Sequence, residues 1–432
     1  MPGPEAEKWI HRKRQCIARS FEGRFPTLVV SKAEGSYVVD VDGNNYLDFT
    51  SGAHCCNIGH SNPSVMAAIR EQISRSISSY PHLQPIQVEL AEKLREMAPG
   101  KLADGMVNFC NTGTDATELS MKISRAYTRK VGFMAYMGSF HGKSFGALSL
   151  TASSSHLRYH HLPLLSEIGH IPYPYCYRCF FGCEYPSCNL RCIAYIQRLF
   201  ETVIHPESVA GLFIEPIQWH GGVLVPPVDY FKRIRRLCMA YGILLVDDEV
   251  ATGFGRTGEK FGIDNWCVEP DILYMGKSIA AGMPLGAVIA NKEIMDVSTT
   301  AGTFSGHPVS CAAALAHLKT IQEQKLCSHA RRIGEYIIGR LKEMSEAYGI
   351  IGDIRGKGMM IGVELVEDTK SKVPTPNKAD EVIKRALKSG LLLLPSGLYN
   401  NVLRISPPLT ATEEEVDEGL NILQDSFYNV EK

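Results

Sequence analysis

The sequence has little net charge and no long hydrophobic run. Forty-five Lys and Arg stand against 46 Asp and Glu, a net charge of −1, which removes the electrostatic case for binding nucleic acid or anionic membrane. No apolar stretch approaches the roughly 20 residues that span a bilayer. There is also no low-complexity linker, internal repeat or block of like charge. Tryptophan is scarce, at 3 residues. Cysteine is not, at 13, but most are scattered through apolar runs (Cys110, Cys238, Cys311), as expected of small buried hydrophobes. A disulfide framework is therefore not expected, and the cytoplasm is the expected compartment. The basic patch Lys8, His11, Arg12, Lys13 and Arg14 is broken by Trp9 and Ile10 and preceded by Glu5 and Glu7. It reads as a solvated helix face rather than a transit peptide.

What remains is an average enzyme-like composition, 45% apolar and 21% charged over 432 residues, enough for two packed units. An N-terminal helix is followed by short strands at Thr27–Ser31 and Tyr37–Val41, a turn at Asp42–Gly43, and a strand at Tyr46–Phe49. After Pro63 a helix carries Met66, Ile69, Ile73 and Ile77 on one face. Strands at 106–110, 132–137, 211–214, 242–246, 272–275 and 285–290 then alternate with helices such as 230–241. That alternation predicts a mostly parallel sheet covered by helices. The last hundred residues mix helices (333–348, 379–389) with short strands (359–365, 391–395, 402–405). A final helix is announced by the capping box Thr412–Glu415. The expected organisation is an N-terminal segment over 1–62 that contributes to a small domain, a large domain over 63–322, and a C-terminal small domain over 323–432.

Strand-like runs in the α/β stretch end on ionisable groups. The run to Ile214 ends on Glu215, that to Val246 on Asp247, Asp248 and Glu249, and Asp271–Gly276 ends on Lys277. Ligands of open α/β sheets bind outside the carboxyl ends of the strands, so one lysine and several carboxylates are expected to meet there. Asn111–Asp115 follows a strand and opens a helix, which is either an ordinary capped start or an anion site. Lys277 either snorkels to solvent or reacts as a Schiff-base amine. A carboxylate such as Asp248 beside a pyridine nitrogen keeps that ring protonated and electron-withdrawing. Together the three features point to pyridoxal 5′-phosphate.

An ordered set of motifs resembles the class III (ω-type) pyridoxal-phosphate-dependent aminotransferases of fold type I. It runs through Gly35–Gly43, Ser51-Gly52, Gly59-His60, Thr112–Asp115, Phe140-His141-Gly142, Glu215–Gln218, Asp248–Gly258, Gly276-Lys277, Gly302–Gly306 and Arg404–Thr410. The resemblance extends from about Phe25 to Leu423. It implies a mostly parallel central sheet in a large domain plus a smaller α+β domain built from both chain ends. It also implies ping-pong transfer of an amino group between an amine or amino-acid donor and a 2-oxo acid. Lys277 would be the Schiff-base lysine and proton shuttle, and Asp248 the partner of the pyridinium. Gly113 and Thr114 would hold the phosphate, Phe140 and Val250 would face the ring, and His141 and Glu215 would complete the cofactor pocket. Thr303 would reach the phosphate of the partner subunit's cofactor, making the enzyme a homodimer. Arg404, in the apolar strand Val402–Ile405, would grip a substrate carboxylate, with Glu215 pairing with it when that carboxylate is missing; a purely structural Glu215–Arg404 pair is the alternative.

Several stretches depart from the family pattern. Trp219-His220 replaces a small or acidic pair and is expected at the pocket rim. Ala251 stands where glutamine is common. Ala53-His54-Cys55-Cys56 is unusual for the substrate-lining segment; Ala53, Trp219 and His220 are expected to shape the pocket, with His54 and His220 either doing only that or acting as acid–base groups. The cluster Cys176, Cys179, Cys183, Cys188 and Cys192 does not match paired CxxC motifs, so no metal is expected. The sequence also resembles the dialkylglycine decarboxylase branch, but lacks its glutamine at Ala53 and its tryptophan at Phe140. Racemases and epimerases share the fold, and racemisation or epimerisation, or decarboxylating amino transfer on the same site, stay open as alternative reactions.

Overall fold

The computed structural model describes residues 3–19, 28–78, 80–297 and 301–432. Its strands, in chain order, are β1 (Val30–Glu34), β2 (Tyr37–Asp40), β3 (Asn45–Asp48), β4 (Met106–Cys110), β5 (Gly132–Tyr136), β6 (Ile168–Ile171), β7 (Val209–Ile214), β8 (Leu244–Asp248), β9 (Ile272–Met275), β10 (Gly286–Ala290), β11 (Ile351–Lys357), β12 (Met360–Leu365), β13 (Leu391–Leu392), β14 (Leu394–Ser396) and β15 (Val402–Ile405). Seven of them form the central sheet, in the order β4-β10-β9-β8-β7-β5-β6. Neighbours from β9 to β6 are parallel, while β10 runs antiparallel to both β9 and β4.

Both faces of this sheet are buried, as a helix-covered parallel sheet requires. Along β8 and β9 the side chains alternate between two cores. Leu245, Leu273 and Met275 enter the larger one, whereas Leu244, Val246, Ile272 and Tyr274 pack with the helix Gly113–Thr128 in the other. That alternation sets the face on which Asp248, two residues beyond Val246, presents its carboxylate.

Both chain ends meet in a second sheet, β1-β2-β3-β13, where Leu391 pairs in parallel with Leu47. The third sheet, β11-β12-β15-β14, is antiparallel and carries Arg404 on β15. The expected single strand 391–395 is thus two short strands in different sheets. Pro395, which has no N–H for a ladder, lies on the edge strand β14.

Two further expectations need correction. The start of the first expected strand, Thr27, lies outside the described residues, and β1 begins at Val30. The helix after Asn62 ends at Arg75, with Val65 and Gln72 buried, while Ile73 and Ile77 are exposed. Of the four apolar positions only Ile69 packs on the core and Met66 is half-buried; the helix lies against the helix Pro308–Glu323, and its two fully buried residues, Val65 and Gln72, are not among those four.

Candidate active site

The ionisable ends of β7, β8 and β9 converge, as the α/β rule requires. Register sets Asp248 opposite Tyr274 on the neighbouring strand. The Tyr274 hydroxyl donates to Asp248 Oδ2 at 2.6 Å, and His141 Nδ1 approaches the same oxygen at 2.7 Å. Oδ1 accepts the Val250 N–H at 3.0 Å. A carboxylate bonded at both oxygens is fixed in orientation.

The loop bearing His141 is fixed in turn. Thr117 Oγ1 donates to the His141 carbonyl at 2.7 Å, and the His141 N–H donates to Thr151 Oγ1 at 2.9 Å. Next to it, the Phe140 N–H donates to Glu215 Oε1 at 3.0 Å.

Lys277 follows Gly276 at the end of β9, in a left-handed conformation with φ 44°. Close backbone approach brings it to the helix that follows β4. A Cβ added to Gly276 would lie 2.9 Å from Gly113 Cα, and one added to Gly113 would lie 2.9 Å from both Val250 methyls. The first intrahelical bond runs from the Ala116 N–H to the Thr112 carbonyl at 3.0 Å. The N–H groups of Gly113 and Thr114 precede it and point out of the helix end, where an anion binds well. Burial, the largest influence, brings the Lys277 amine down to about 8; Cys55, Asp248 and Glu215 oppose that shift and Arg404 adds to it.

The other wall of the cleft is aromatic and cationic. The Trp219 ring stacks on His54 at 4.0 Å between centroids, with Lys277 Nζ 4.1 Å and Arg404 Cζ 4.3 Å from its centre. Trp219 is only 3% exposed, so it is a buried partition and not part of the rim. Its loop is clasped from the third sheet, where Ser396 Oγ donates to the Trp219 carbonyl at 2.7 Å and the Gly397 N–H to that of His220 at 3.1 Å. His220 stacks on Phe140 at 4.3 Å. Burial, then Arg404 and Lys277, hold the His220 imidazole well below its ordinary pKa. Burial does the same to His54, helped by Arg256 and Lys277. Both rings are therefore neutral.

Arg404 is buried, and its Nε and Nη1 have no hydrogen-bond partner among the described residues. No ion pair joins it to Glu215 among those residues; Glu215 spends its oxygens on the N–H groups of Phe140 and of Trp219, the latter at 3.2 Å. The structural Glu215–Arg404 pair is thus absent. Burial raises the Glu215 carboxyl to about 7, with His141 opposing. Two orphaned donors on a buried guanidinium are what a bound carboxylate would satisfy.

Lys277, Asp248, His141, Phe140, Glu215, Val250, Gly113, Trp219, His220 and Arg404 are brought together by these contacts. Ala53 lies in a left-handed turn, φ 57°, next to His54. Thr303 is exposed and joins none of these residues by a hydrogen bond within the chain. Tyr274 was not foreseen. It is a lone phenol in an apolar strand, and only the register that sets it opposite Asp248, the last residue of β8, gives it a role. Of the five clustered cysteines, Cys192 lies in the first turn of the helix Arg191–Thr202, and the other four lie on the segment before it, which is docked to β12 by an ion pair and hydrogen bonds from Arg178 and Tyr175 to Glu364. Among the described residues no group of His, Cys, Asp or Glu gathers closely enough to hold a metal.

Comparison with known proteins decides the family. The model of the aminotransferase class-III family matches residues 19–427. The chain belongs to the class-III aminotransferases. It is 40% identical to a leucine/methionine racemase of Thermococcus litoralis, over 99% of this chain and 96% of that protein. It is 36% identical to a 5-aminovalerate aminotransferase of Pseudomonas putida, over 98% and 99%. A solved amine transaminase from an uncultivated Pseudomonas species, in its pyridoxal-phosphate-bound form, superposes with a TM-score of 0.89 at 33% identity, covering 96% of this chain and 97% of that one. This class-III aminotransferase has the fold of the type-I pyridoxal-phosphate enzymes, moves amino groups between an amine or amino acid and a 2-oxo acid, and uses pyridoxal 5′-phosphate. Its residues fit that group: a lysine of lowered basicity, a carboxylate held by three donors, and a helix end with free N–H groups stand around one cleft.

Proposed function

We propose that Lys277 carries the cofactor and moves the proton of the reaction, in a homodimeric aminotransferase whose substrates bear a carboxylate. When bound, pyridoxal 5′-phosphate supplies an electron sink for the pair left at the substrate Cα as its proton leaves. Asp248 holds the cofactor's ring nitrogen protonated, and His141 and Tyr274 hold Asp248. Gly113 and Thr114 anchor the phosphate by backbone N–H groups. Lys277, with its amine near 8, is neutral often enough at neutral pH to take up a proton, and is returned to charge by the same field. Phe140 and Val250 flank the ring. His54 and Trp219 exclude water beside the amine, while His220 and Ala53 shape the substrate end.

The observation that carries the substrate class is Arg404, a buried guanidinium with two unpartnered nitrogens, on the same indole as Lys277. That pairing supports a donor whose carboxylate lies a short span from its amine.

Apolar side chains at Ile77, Tyr80 and Leu83 are exposed, and Tyr80 and Leu83 line one hollow together with Thr303. A patch of this kind supports a partner subunit there, with Thr303 serving its cofactor. A large unit over 63–322 with a small one from both ends, and a cytoplasmic site of action, complete the reading. No helix among the described residues is long and apolar enough to cross a membrane.

Racemisation is the second reading, favoured by the 40% identity to the leucine/methionine racemase. One experiment separates the two. The holoenzyme is mixed with one equivalent of an amino acid in deuterated water, and its absorption is followed. Loss of the cofactor's lysine-bound band, restored by a 2-oxo acid, is the expected outcome. A persistent band with deuterium entering the substrate Cα in both configurations would establish racemisation instead.

A further inference from the structure

The indole of Trp219 is fixed at its backbone and on its face. Its N–H donates to Glu215 Oε2 at 3.2 Å, and its carbonyl accepts from Ser396 Oγ at 2.7 Å and from the N–H groups of Gly222 at 3.2 Å and Val223 at 3.3 Å. Gly222 is held in turn by Arg355, whose Nε and Nη2 donate to its carbonyl at 3.0 and 2.6 Å. Asp353 at 2.6 Å and Glu364 at 2.7 Å anchor that guanidinium. On the ring itself lies His54, 4.0 Å between centroids and 22° between planes. His54 is tied down by its Nδ1, which donates to the Ala251 carbonyl at 2.9 Å. A buried indole held in this way is a wall, not a lid.

That wall stands between the two groups that would grip a substrate. Lys277 Nζ is 4.1 Å and Arg404 Cζ 4.3 Å from the centre of the same ring, so the two are separated by no more than the sum of those distances. A carboxylate paired with a guanidinium has its carbon about 4 Å from Cζ, close to half of that greatest span. On the side facing Lys277 the remainder fits two or three bonds between the donor's nitrogen and its carboxyl carbon, about 2.5–3.8 Å. A δ-amino acid places five bonds there, about 6 Å when extended, and runs into the indole. The indole Nε1–H, like Arg404 Nε and Nη1, is buried without a partner among the described residues, and offers a further donor to a carboxylate held that close.

We propose that Trp219 sets the length of the substrate, admitting α- and β-amino acids and excluding γ- and δ-amino acids that carry the same amine and carboxylate. This rests on the roles given above to Lys277 and Arg404. Each methylene added between amine and carboxylate must displace a ring whose loop is bonded to Glu215, Ser396 and Arg355. The cost falls on the longer donors alone, because the shorter ones occupy the space in front of the ring.

The test uses four isomers of one formula, 2-, 3-, 4- and 5-aminopentanoate, with the holoenzyme in deuterated water. Deuterium entering the carbon that bears the amine is followed by mass spectrometry, a readout that registers transamination and racemisation alike. The wild type is expected to exchange the 2-amino isomer at least about tenfold faster than the 5-amino isomer at equal, subsaturating concentration. Trp219→Ala is expected to raise the rate of the 5-amino isomer itself by at least about tenfold, with Trp219→Leu between the two. Urea midpoints show whether each variant is folded, and Trp219→Leu carries the test should Trp219→Ala not be. A wild type that exchanges the 5-amino isomer as fast as the 2-amino isomer would overturn the proposal. So would a ratio that narrows in folded variants only because the 2-amino isomer has slowed. Failure of the amino-transfer reading shows separately, as a lysine-bound cofactor band that is absent or that no donor bleaches.

Discussion

Two buried arginines of this protein have opposite surroundings. Arg256, 1% exposed, donates from Nε to Asn57 Oδ1 at 3.0 Å, from Nη1 to the carbonyls of Met359 at 3.0 Å and Pro407 at 2.6 Å, and from Nη2 to Ser51 Oγ at 3.1 Å and Asn57 Oδ1 at 2.5 Å. It joins the N-terminal segment to the C-terminal one with every nitrogen engaged. Arg404 sits one short segment away in sequence from Pro407 and leaves Nε and Nη1 bare. Burial lowers both, Arg256 to about 9 and Arg404 to about 10. A guanidinium surrounded by acceptors is committed to the scaffold, whereas one lacking them keeps donors for a ligand, the role proposed for Arg404. The Asp248 carboxylate resembles Arg256, since both of its oxygens are engaged, by Tyr274 and His141 at Oδ2 and by the Val250 N–H at Oδ1, although the far nitrogen of His141, Nε2, has no partner among the described residues. The substrate end resembles Arg404, with His54 Nε2 and Trp219 Nε1 also unpartnered.

The largest effect should come at Lys277, where the two ends join. Lys277→Ala is expected to lower kcat by at least about 10⁴-fold while cofactor still binds, since on the proposed roles it removes both the Schiff-base amine and the proton carrier. Steady-state rates near normal would dissolve the contrast. Next is Arg256→Met, which strands buried acceptors and should cost about 3–5 kcal/mol of stability in urea titration. Arg404→Met should leave that stability within about 0.5 kcal/mol. It should instead lower kcat/KM about 100-fold for donors with a carboxylate and leave simple amines untouched. If Arg404→Met unfolds as Arg256→Met does, the distinction between the two arginines is wrong.

Smaller effects concern protons. With its amine near 8, Lys277 becomes the neutral nucleophile as pH rises through that value. Cofactor capture by cofactor-stripped protein should therefore quicken about tenfold between pH 7 and pH 9 and then level off. An unperturbed lysine would keep accelerating past pH 10. Smallest is Trp219→Phe. The indole 4.1 Å from Nζ favours the charged amine, so weakening it should move the midpoint of that profile down, by about 0.5 unit at about 0.5–1 kcal/mol. An upward movement would show that the indole acts on Lys277 mainly by excluding water.

Much of the cofactor end was legible in the sequence because it depends on strand ends. An apolar run that stops on Asp248 or Lys277 declares both the strand and the edge at which its side chain emerges. The substrate end was not, because its geometry is set by contacts between segments far apart in the chain. Trp219 was expected at the rim, but Ser396 and Gly397 fold its loop inward over Lys277. The left-handed turn at Ser51–His54 has three non-glycine residues; besides the nearby Asp48 it is held by Ser406 and Arg256, both far from it in the chain. Tyr274 is invisible until register sets it opposite Asp248. Leu391–Pro395 reads as one strand because the change of sheet at Leu393 has no turn residue to mark it.

The most direct test of the central claim is to treat the holoenzyme with sodium borohydride and find the residue that keeps the cofactor. The expected result is a pyridoxyl phosphate on the peptide containing Lys277, absent when Lys277→Ala is treated alike. Attachment at another lysine, or none at all, would contradict the assignment of the site.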